Sequence, residues 1–121
     1  MDQYKQIAVV LFVACLLAVS WGIFKPEPVQ QVFLQSDKVA HLGAFFCLAI
    51  TGRVAMLSVN AYYYWITMLL LAFLMEYAQG VLQVNRVFSY YDALANGLGV
   101  LCALVFYFII VRFKSYKAEQ L

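Results

Sequence analysis

Apolar residues fill four long stretches of the chain, and short polar segments separate them. The apolar stretches cover about residues 7-24, 38-57, 62-82 and 90-111. Each is close to the ~20 residues that a helix needs to cross a bilayer. Lys25-Pro-Glu-Pro28 ends the first stretch, and Asn60 marks a later turn. The pattern therefore predicts an all-α integral membrane protein, a four-helix transmembrane bundle with short loops that forms a single domain over residues 1-121.

The first apolar stretch has two interpretations. Ala18-Val-Ser20 resembles the small-residue cleavage site of a signal peptide. The length of the stretch, and Trp21 near its end, instead favour a helix that is retained. The segment after it, 29-36, is too short and too polar to span a bilayer, so we expect it to lie along the membrane interface.

Composition supports the membrane interpretation, because 66% of the residues are hydrophobic and only 12% are charged. Soluble domains contain ~45–50% apolar and ~25% charged residues. The net charge of +2 is too small to indicate a nucleic-acid partner. The three cysteines lie singly in apolar runs, and this spacing does not match a disulfide or metal framework.

The distribution of basic residues predicts the orientation of the bundle. Four spans place both termini on one side of the membrane. Five basic residues share that side, and three share the other: Lys5, Arg53, Arg112, Lys114 and Lys117 against Lys25, Lys38 and Arg86. The positive-inside rule therefore predicts cytoplasmic N- and C-termini. Arg53 lies inside the second span, near its far end, where we expect its long side chain to snorkel to water.

One carboxylate, Glu76, lies inside the otherwise apolar third span. A charged residue at the centre of a membrane helix costs ~2.5–3.5 kcal/mol on insertion scales, and such a residue is usually retained because a partner faces it. Gln79 follows three residues later on nearly the same face. Because Glu76 is about 9 Å from Leu82 along the helix axis, both polar side chains are expected in the outer leaflet.

Two further polar pairs are expected at the same depth on neighbouring spans. Asp37 and His41 are four residues apart at the start of the second span, and Asp92 and Asn96 are four apart at the start of the fourth. Unpaired donors and acceptors cost free energy in lipid, so the three pairs should converge. With two cations at the rim, the predicted binding residues are Asp37, Lys38, His41, Glu76, Gln79, Arg86, Asp92 and Asn96.

Each of these residues also has a structural interpretation. Asp37 fits an N-cap of the second span, and Asp92 fits a first helical turn where an acid is favourable. His41 and Asn96 fit ordinary polar contacts between helices. Small residues should permit close helix approach on the second and fourth spans, at Ala40 with Ala44 and at Gly99 with Ala103.

Four fragments then follow one another in the order of a known family. They are Asp37-Lys-Val-Ala-His41, Glu76-Tyr-Ala-Gln79, Arg86, and Asp92-Ala-Leu-Ala-Asn96-Gly-Leu-Gly99. The chain here resembles the VanZ-like family of small membrane proteins, whose pattern is D-K-x-x-H, E-x-x-Q, an arginine and D-x-x-x-N-x-x-G. Two positions depart from that pattern, since Asn85 and Ala103 stand where the family often has glycine. Both departures leave the residues with chemical side chains unchanged.

The resemblance implies a multi-pass protein of the bacterial cytoplasmic (inner) membrane with a role in the cell envelope. The family is named for a member associated with resistance to the glycopeptide teicoplanin. The partner implied is a membrane lipid or a lipid-linked envelope precursor. Four thin spans also favour self-association into a homo-oligomer.

Three functions fit these residues. In the first, which we favour, a non-catalytic pocket holds a lipid headgroup or phosphate, with Arg86 and Lys38 as its cations. In the second, a membrane-embedded hydrolase or transferase acts on a lipid-linked cell-wall substrate. Its catalytic candidates, without a convincing nucleophile beside them, are His41, Glu76 and Asp92. In the third, a structural or assembly subunit uses the polar residues as a helix clamp.

A bound metal is a further alternative for this set of side chains. One histidine with up to three carboxylates would suit Mg²⁺, Mn²⁺ or Ca²⁺ better than structural zinc. From the sequence alone we expect neither a metal nor another cofactor.

Overall fold

The computed structural model describes residues 2–24, 36–83 and 87–121 of the chain. These residues form four α-helices, in the order α1 Gln3–Phe24, α2 Ser36–Ala55, α3 Ala61–Leu82 and α4 Tyr90–Gln120. All four helices are long and apolar enough to cross a membrane. The predicted all-helical fold of four apolar helices is therefore confirmed. The last helix continues past the predicted end of its span at residue 111, through the basic segment that follows.

Several predictions concern residues outside this described part of the chain. The interfacial segment 29-36 lies outside it except for Ser36, which begins α2. The rim residue Arg86, its neighbour Asn85 and the stop signal Lys25-Pro-Glu-Pro28 also lie outside it.

The helices pack around the bundle in the order α1, α2, α4, α3, and α2 and α3 also touch across it through the bond from the Tyr64 hydroxyl to the carbonyl of Ala49. The α2–α4 contact is the most extensive, and α1 touches α3 over a narrower area. α2 and α3 lie nearly opposite each other across the bundle. The buried apolar core fills the space between α2, α3 and α4 with Phe45, Leu48, Ala49, Tyr64, Trp65, Met68, Ala72, Val100 and Ala103.

The close approach of α2 and α4 depends on Gly99. A Cβ atom at this position would collide with the backbone carbonyl oxygen of Leu42 on α2. Ala103, one turn later, is fully buried. The predicted small-residue contact is therefore present on α4. On α2 the outcome differs, because Ala40 and Ala44 line a cavity beside α1.

Arg53 does not snorkel to water, and that prediction was wrong. Its side chain is buried in the turn that follows α2, where its Nη1 donates hydrogen bonds to the carbonyl oxygens of Met56 (3.3 Å) and Val59 (2.8 Å). The guanidinium also lies over the rings of Tyr64 and Tyr107, at 5.5 and 5.8 Å from their centroids. The reason is that carbonyl groups beyond a helix C-terminus need donors, and in an apolar surrounding the arginine supplies them.

Candidate functional site

Polar side chains from three helices meet at the end of the bundle where α2 and α4 begin and α3 ends. His41 on α2, Glu76 on α3 and Asp92 on α4 each place a possible ligand atom within 4.8 Å of the other two. Glu76 is 0% exposed and Asp92 is 5% exposed. We call these three residues with Asn96 the polar cluster. The structure thus places the acids of α3 and α4 at the same end of the bundle, as the antiparallel order of the helices predicts.

Asn96 links all three helices of the polar cluster. Its Nδ2 donates to the backbone carbonyl of Ala72 on α3 at 3.1 Å, and its Oδ1 lies 2.8 Å from Nδ1 of His41 on α2. A carbonyl oxygen only accepts, so the amide nitrogen must face Ala72 and the amide oxygen must face the histidine. His41 therefore carries a proton on Nδ1 and donates it to Asn96.

Ser89 caps α4 and connects that helix to Glu76. Its hydroxyl accepts a hydrogen bond from the backbone N–H of Asp92 at 3.3 Å, and its own N–H donates to Oε1 of Glu76 at 3.1 Å. In a capping box the third helical residue would accept this second bond. Here α3 supplies the acceptor, and the carboxylate of Asp92 faces α2 instead.

The sequence reasoning did not include Ser89 among the site residues. The signal was present, because Ser89-Tyr-Tyr-Asp92 has the spacing of a capping box. That spacing predicts a helix start but cannot reveal that Glu76 takes the N–H. The hydroxyl of Ser89 is used to cap the helix, which argues against a role as nucleophile.

Within the described part of the chain, Lys38 is the basic residue that borders the polar cluster. Its Nζ lies 3.2 Å from Oδ2 of Asp37 and 3.5 Å from Oδ1 of Asp92, and its side chain is 32% exposed. Asp37 lies inside the first turn of α2, which begins at Ser36, so it is not the N-cap that one interpretation predicted. Its carboxylate instead holds the ammonium group of Lys38 over the cluster.

A cavity of about 250 Å³ lies between α1, α2 and α3, next to the polar cluster. Apolar groups form most of its wall, among them Cys15, Ala44 and Met75. Its polar wall residues are His41 and Gln79, so the predicted residue Gln79 faces this cavity. His41 is consequently the member of the polar cluster that lines the cavity.

A second contact missed by the sequence reasoning closes the bundle beside this cavity. Nε2 of the buried Gln83, which follows α3, donates to the backbone carbonyl of Gly22 on α1. Gly22 also lines the cavity. This bond holds the ends of α1 and α3 together where their packing is narrow.

A comparison of the chain with protein-family models, with curated proteins and with solved structures found no match in any of the three. The function is therefore inferred from the geometry of the site. An apolar cavity with the hydrogen-bonding side chains of His41 and Gln79 in its wall is suited to an amphipathic molecule, whose tail and headgroup need different surroundings.

Proposed function

We propose that this protein binds a membrane lipid or a lipid-linked envelope precursor, with the apolar chain in the cavity and the polar or phosphate-bearing headgroup at Lys38 and His41. The observation that carries the proposal is the position of His41, which lines the cavity and donates to Asn96 in the polar cluster. A ligand in the cavity would therefore touch apolar walls and, at His41, a member of the polar cluster.

The charge of Lys38 supports an anionic headgroup. Its ammonium group is partly exposed and has three N–H donors, while Asp37 and Asp92 lie within 3.5 Å of it and hold it in place. Charge-assisted hydrogen bonds to phosphate are roughly twice as strong as neutral ones. Arg86, outside the described residues, is proposed as the second cation.

The setting we propose is the bacterial cytoplasmic membrane, crossed four times, with both termini in the cytoplasm. Large apolar side chains face outward on every helix, for example Leu17, Leu70 and Phe108, and such a surface suits hydrocarbon. The resemblance of the four sequence fragments to the VanZ-like family supports an envelope role, and resistance to teicoplanin is the phenotype to examine first.

Binding of a polyprenyl phosphate and of the matching uncharged polyprenol by the purified protein in nanodiscs tests the proposal. We expect tighter binding of the phosphate, and we expect Lys38→Gln to remove that preference. Ala44→Phe fills the cavity and should weaken binding of both probes. Ala14→Phe on the outward side of α1 is the matched control and should change neither. Wild-type binding in both Lys38→Gln and Ala44→Phe would refute the proposal.

A helix clamp is the second candidate, and the two hydrogen bonds of Asn96 favour it. They join α4 to α2 and to α3 within the buried part of the bundle. A clamp alone predicts that substitutions in the polar cluster reduce membrane abundance and function together. Lipid binding predicts that variants with wild-type abundance exist in which binding is lost.

A further inference from the structure

The protonation of His41 leaves its second ring nitrogen facing a carboxylate. Because Nδ1 donates to Asn96, Nε2 is the ring nitrogen whose lone pair can bind a metal ion in the neutral tautomer. This nitrogen lies 3.9 Å from Oδ2 of Asp92. Two ligand atoms of one ion, each ~2.0–2.2 Å from it, lie ~2.8–3.6 Å apart in octahedral or tetrahedral geometry. The separation of 3.9 Å therefore has to shorten by only a few tenths of an ångström for one ion to bind both atoms.

We propose that His41, Glu76 and Asp92 bind one divalent transition-metal ion of the Mn²⁺ or Zn²⁺ class. Each contributes one ligand atom, and these atoms lie within 4.8 Å of one another although they come from three different helices. One imidazole and two carboxylates form a mixed nitrogen and oxygen set, which suits these ions. The sequence led us to expect no metal, and the geometry changes that expectation.

The groups around the three ligands match the second layer of known metal sites. A metal-bound histidine usually donates its other N–H to a carbonyl or carboxylate oxygen, as His41 does to Asn96. Bound carboxylates are usually hydrogen-bonded as well, and Glu76 accepts from the N–H of Ser89. Lys38 lies near Oδ1 of Asp92, whereas the other oxygen, Oδ2, faces the histidine.

Three protein ligands leave coordination positions open for water or for an oxygen of a bound ligand. His41 is the ligand of the three that lines the cavity, so the cavity meets the proposed metal site at this residue. Metal binding nevertheless requires no lipid, so it goes beyond the proposed lipid binding and is measurable without any added lipid.

Titration of Mn²⁺ into the full chain, purified without a polyhistidine tag and stripped with a chelator, tests the metal site. We expect saturable binding of one ion, measured as the loss of the free Mn²⁺ signal in electron paramagnetic resonance. The chain has one histidine, so nitrogen modulation from imidazole in pulsed spectra must arise from His41. Wild-type protein that binds no Mn²⁺, or binds it without this modulation, would overturn the proposal.

Variants with matched controls locate the site. Glu76→Gln and Asp92→Asn keep the side-chain shape and should lose the bound ion, while Glu119→Gln on the exposed end of α4 should keep it. Asn96→Ala retains all three ligands and should weaken binding by ~10–100-fold. Asn60→Ala, at the distant N-cap of α3, should leave it unchanged. Equal Mn²⁺ affinity in wild type, Glu76→Gln and Asp92→Asn would also overturn the proposal. If those two variants fail to fold, the Mn²⁺ affinity of Asn96→Ala relative to wild type is the test, and an unchanged affinity would overturn the proposal.

Discussion

The backbone N–H of Ser89 donates a hydrogen bond of 3.1 Å to Oε1 of Glu76, so a side chain of α3 holds the residue that immediately precedes α4. The hydroxyl of the same serine caps α4 by accepting from the N–H of Asp92. The position of α4 along the bundle is therefore coupled to the buried carboxylate. This coupling fixes where Asp92 and Asn96 meet α2.

We predict that Glu76→Gln preserves the fold and that Glu76→Ala does not. The amide oxygen of glutamine can still accept from the N–H of Ser89, with a loss of about 1 kcal/mol because the charge is gone. Alanine removes the acceptor of the part-buried N–H of Ser89, which costs up to about 1–3 kcal/mol before the lost packing is added. Thermal unfolding in detergent and membrane abundance of a fluorescent fusion measure both effects.

Glu119→Ala, on the exposed end of α4, is the control for the Glu76 variants and should behave as wild type. Equal destabilisation by Glu76→Gln and Glu76→Ala would show that the negative charge itself, and not an acceptor for Ser89, holds the start of α4.

The bond between His41 and Asn96 predicts an energetic coupling between α2 and α4. In a double-mutant cycle with His41→Ala and Asn96→Ala, we expect a coupling of about 0.6 kcal/mol, the average for polar contacts between membrane helices, and at most about 1.7 kcal/mol. Reversible unfolding in mixed micelles provides the free energies. Pairing His41→Ala with Asn60→Ala is the control, since Asn60 caps α3 at the other end of the bundle. A coupling near zero for the first pair would contradict the 2.8 Å contact.

The sequence was sufficient to predict four helices and the meeting of four polar side chains, His41, Glu76, Asp92 and Asn96, whereas Gln79, expected with them, lines the cavity. Apolar run length sets helix length, and antiparallel order sets which helix ends share a depth. These two relationships are enough to predict that His41, Glu76 and Asp92 lie together. The sequence pattern could not assign individual hydrogen bonds, because the partner of Asn96 on α3 is the carbonyl of Ala72, and a backbone group leaves no trace in residue type.

The sequence pattern does not predict the cavity or the burial of Arg53, for a different reason. A cavity depends on how four helix faces fit together, and Ala40 and Ala44 read as equally suitable for a tight helix contact. Arg53 was expected at the water surface on the basis of its reach alone. Its burial depends on carbonyl groups of Met56 and Val59 that the turn after α2 happens to direct towards it.

Two glycines on α4 provide a matched test of the α2–α4 packing. Gly99→Ala places a methyl group against the carbonyl of Leu42, and overpacking of this kind costs about 1–3 kcal/mol. Gly97→Ala meets no atom within 4 Å and should be neutral or stabilising by up to ~1 kcal/mol through helix propensity. Unfolding midpoints of the two variants give the comparison, and equal midpoints would contradict the close approach at Gly99.

The orientation proposed from the basic residues predicts cytoplasmic termini. A fluorescent protein fused after Leu121 should fold and fluoresce, whereas alkaline phosphatase at the same site should be inactive, because the two reporters require opposite sides of the membrane. Moving both reporters to the turn at Asn60 should give the same result, since that turn is expected on the same side. Active phosphatase after Leu121 would show that the topology is the reverse of the proposed one, with the polar cluster in the inner leaflet.

The buried guanidinium of Arg53 predicts that this end of the bundle tolerates no loss of charge or reach. Arg53→Gln removes the donor to Met56 and Val59 and the contact with the rings of Tyr64 and Tyr107. Hydrogen bonds from charged groups are worth about 1.5–3 kcal/mol, so we expect a loss of that size in unfolding experiments. Arg112→Gln, on the exposed part of α4, removes the same charge and should change stability by less than about 0.5 kcal/mol.

Arg53→Lys separates the contribution of the charge from that of the planar guanidinium, because lysine retains the charge but donates from one point and cannot stack on the rings as a plane. Stability of Arg53→Lys close to wild type would show that charge alone is needed, whereas stability close to Arg53→Gln would show that the planar geometry closes the turn between α2 and α3.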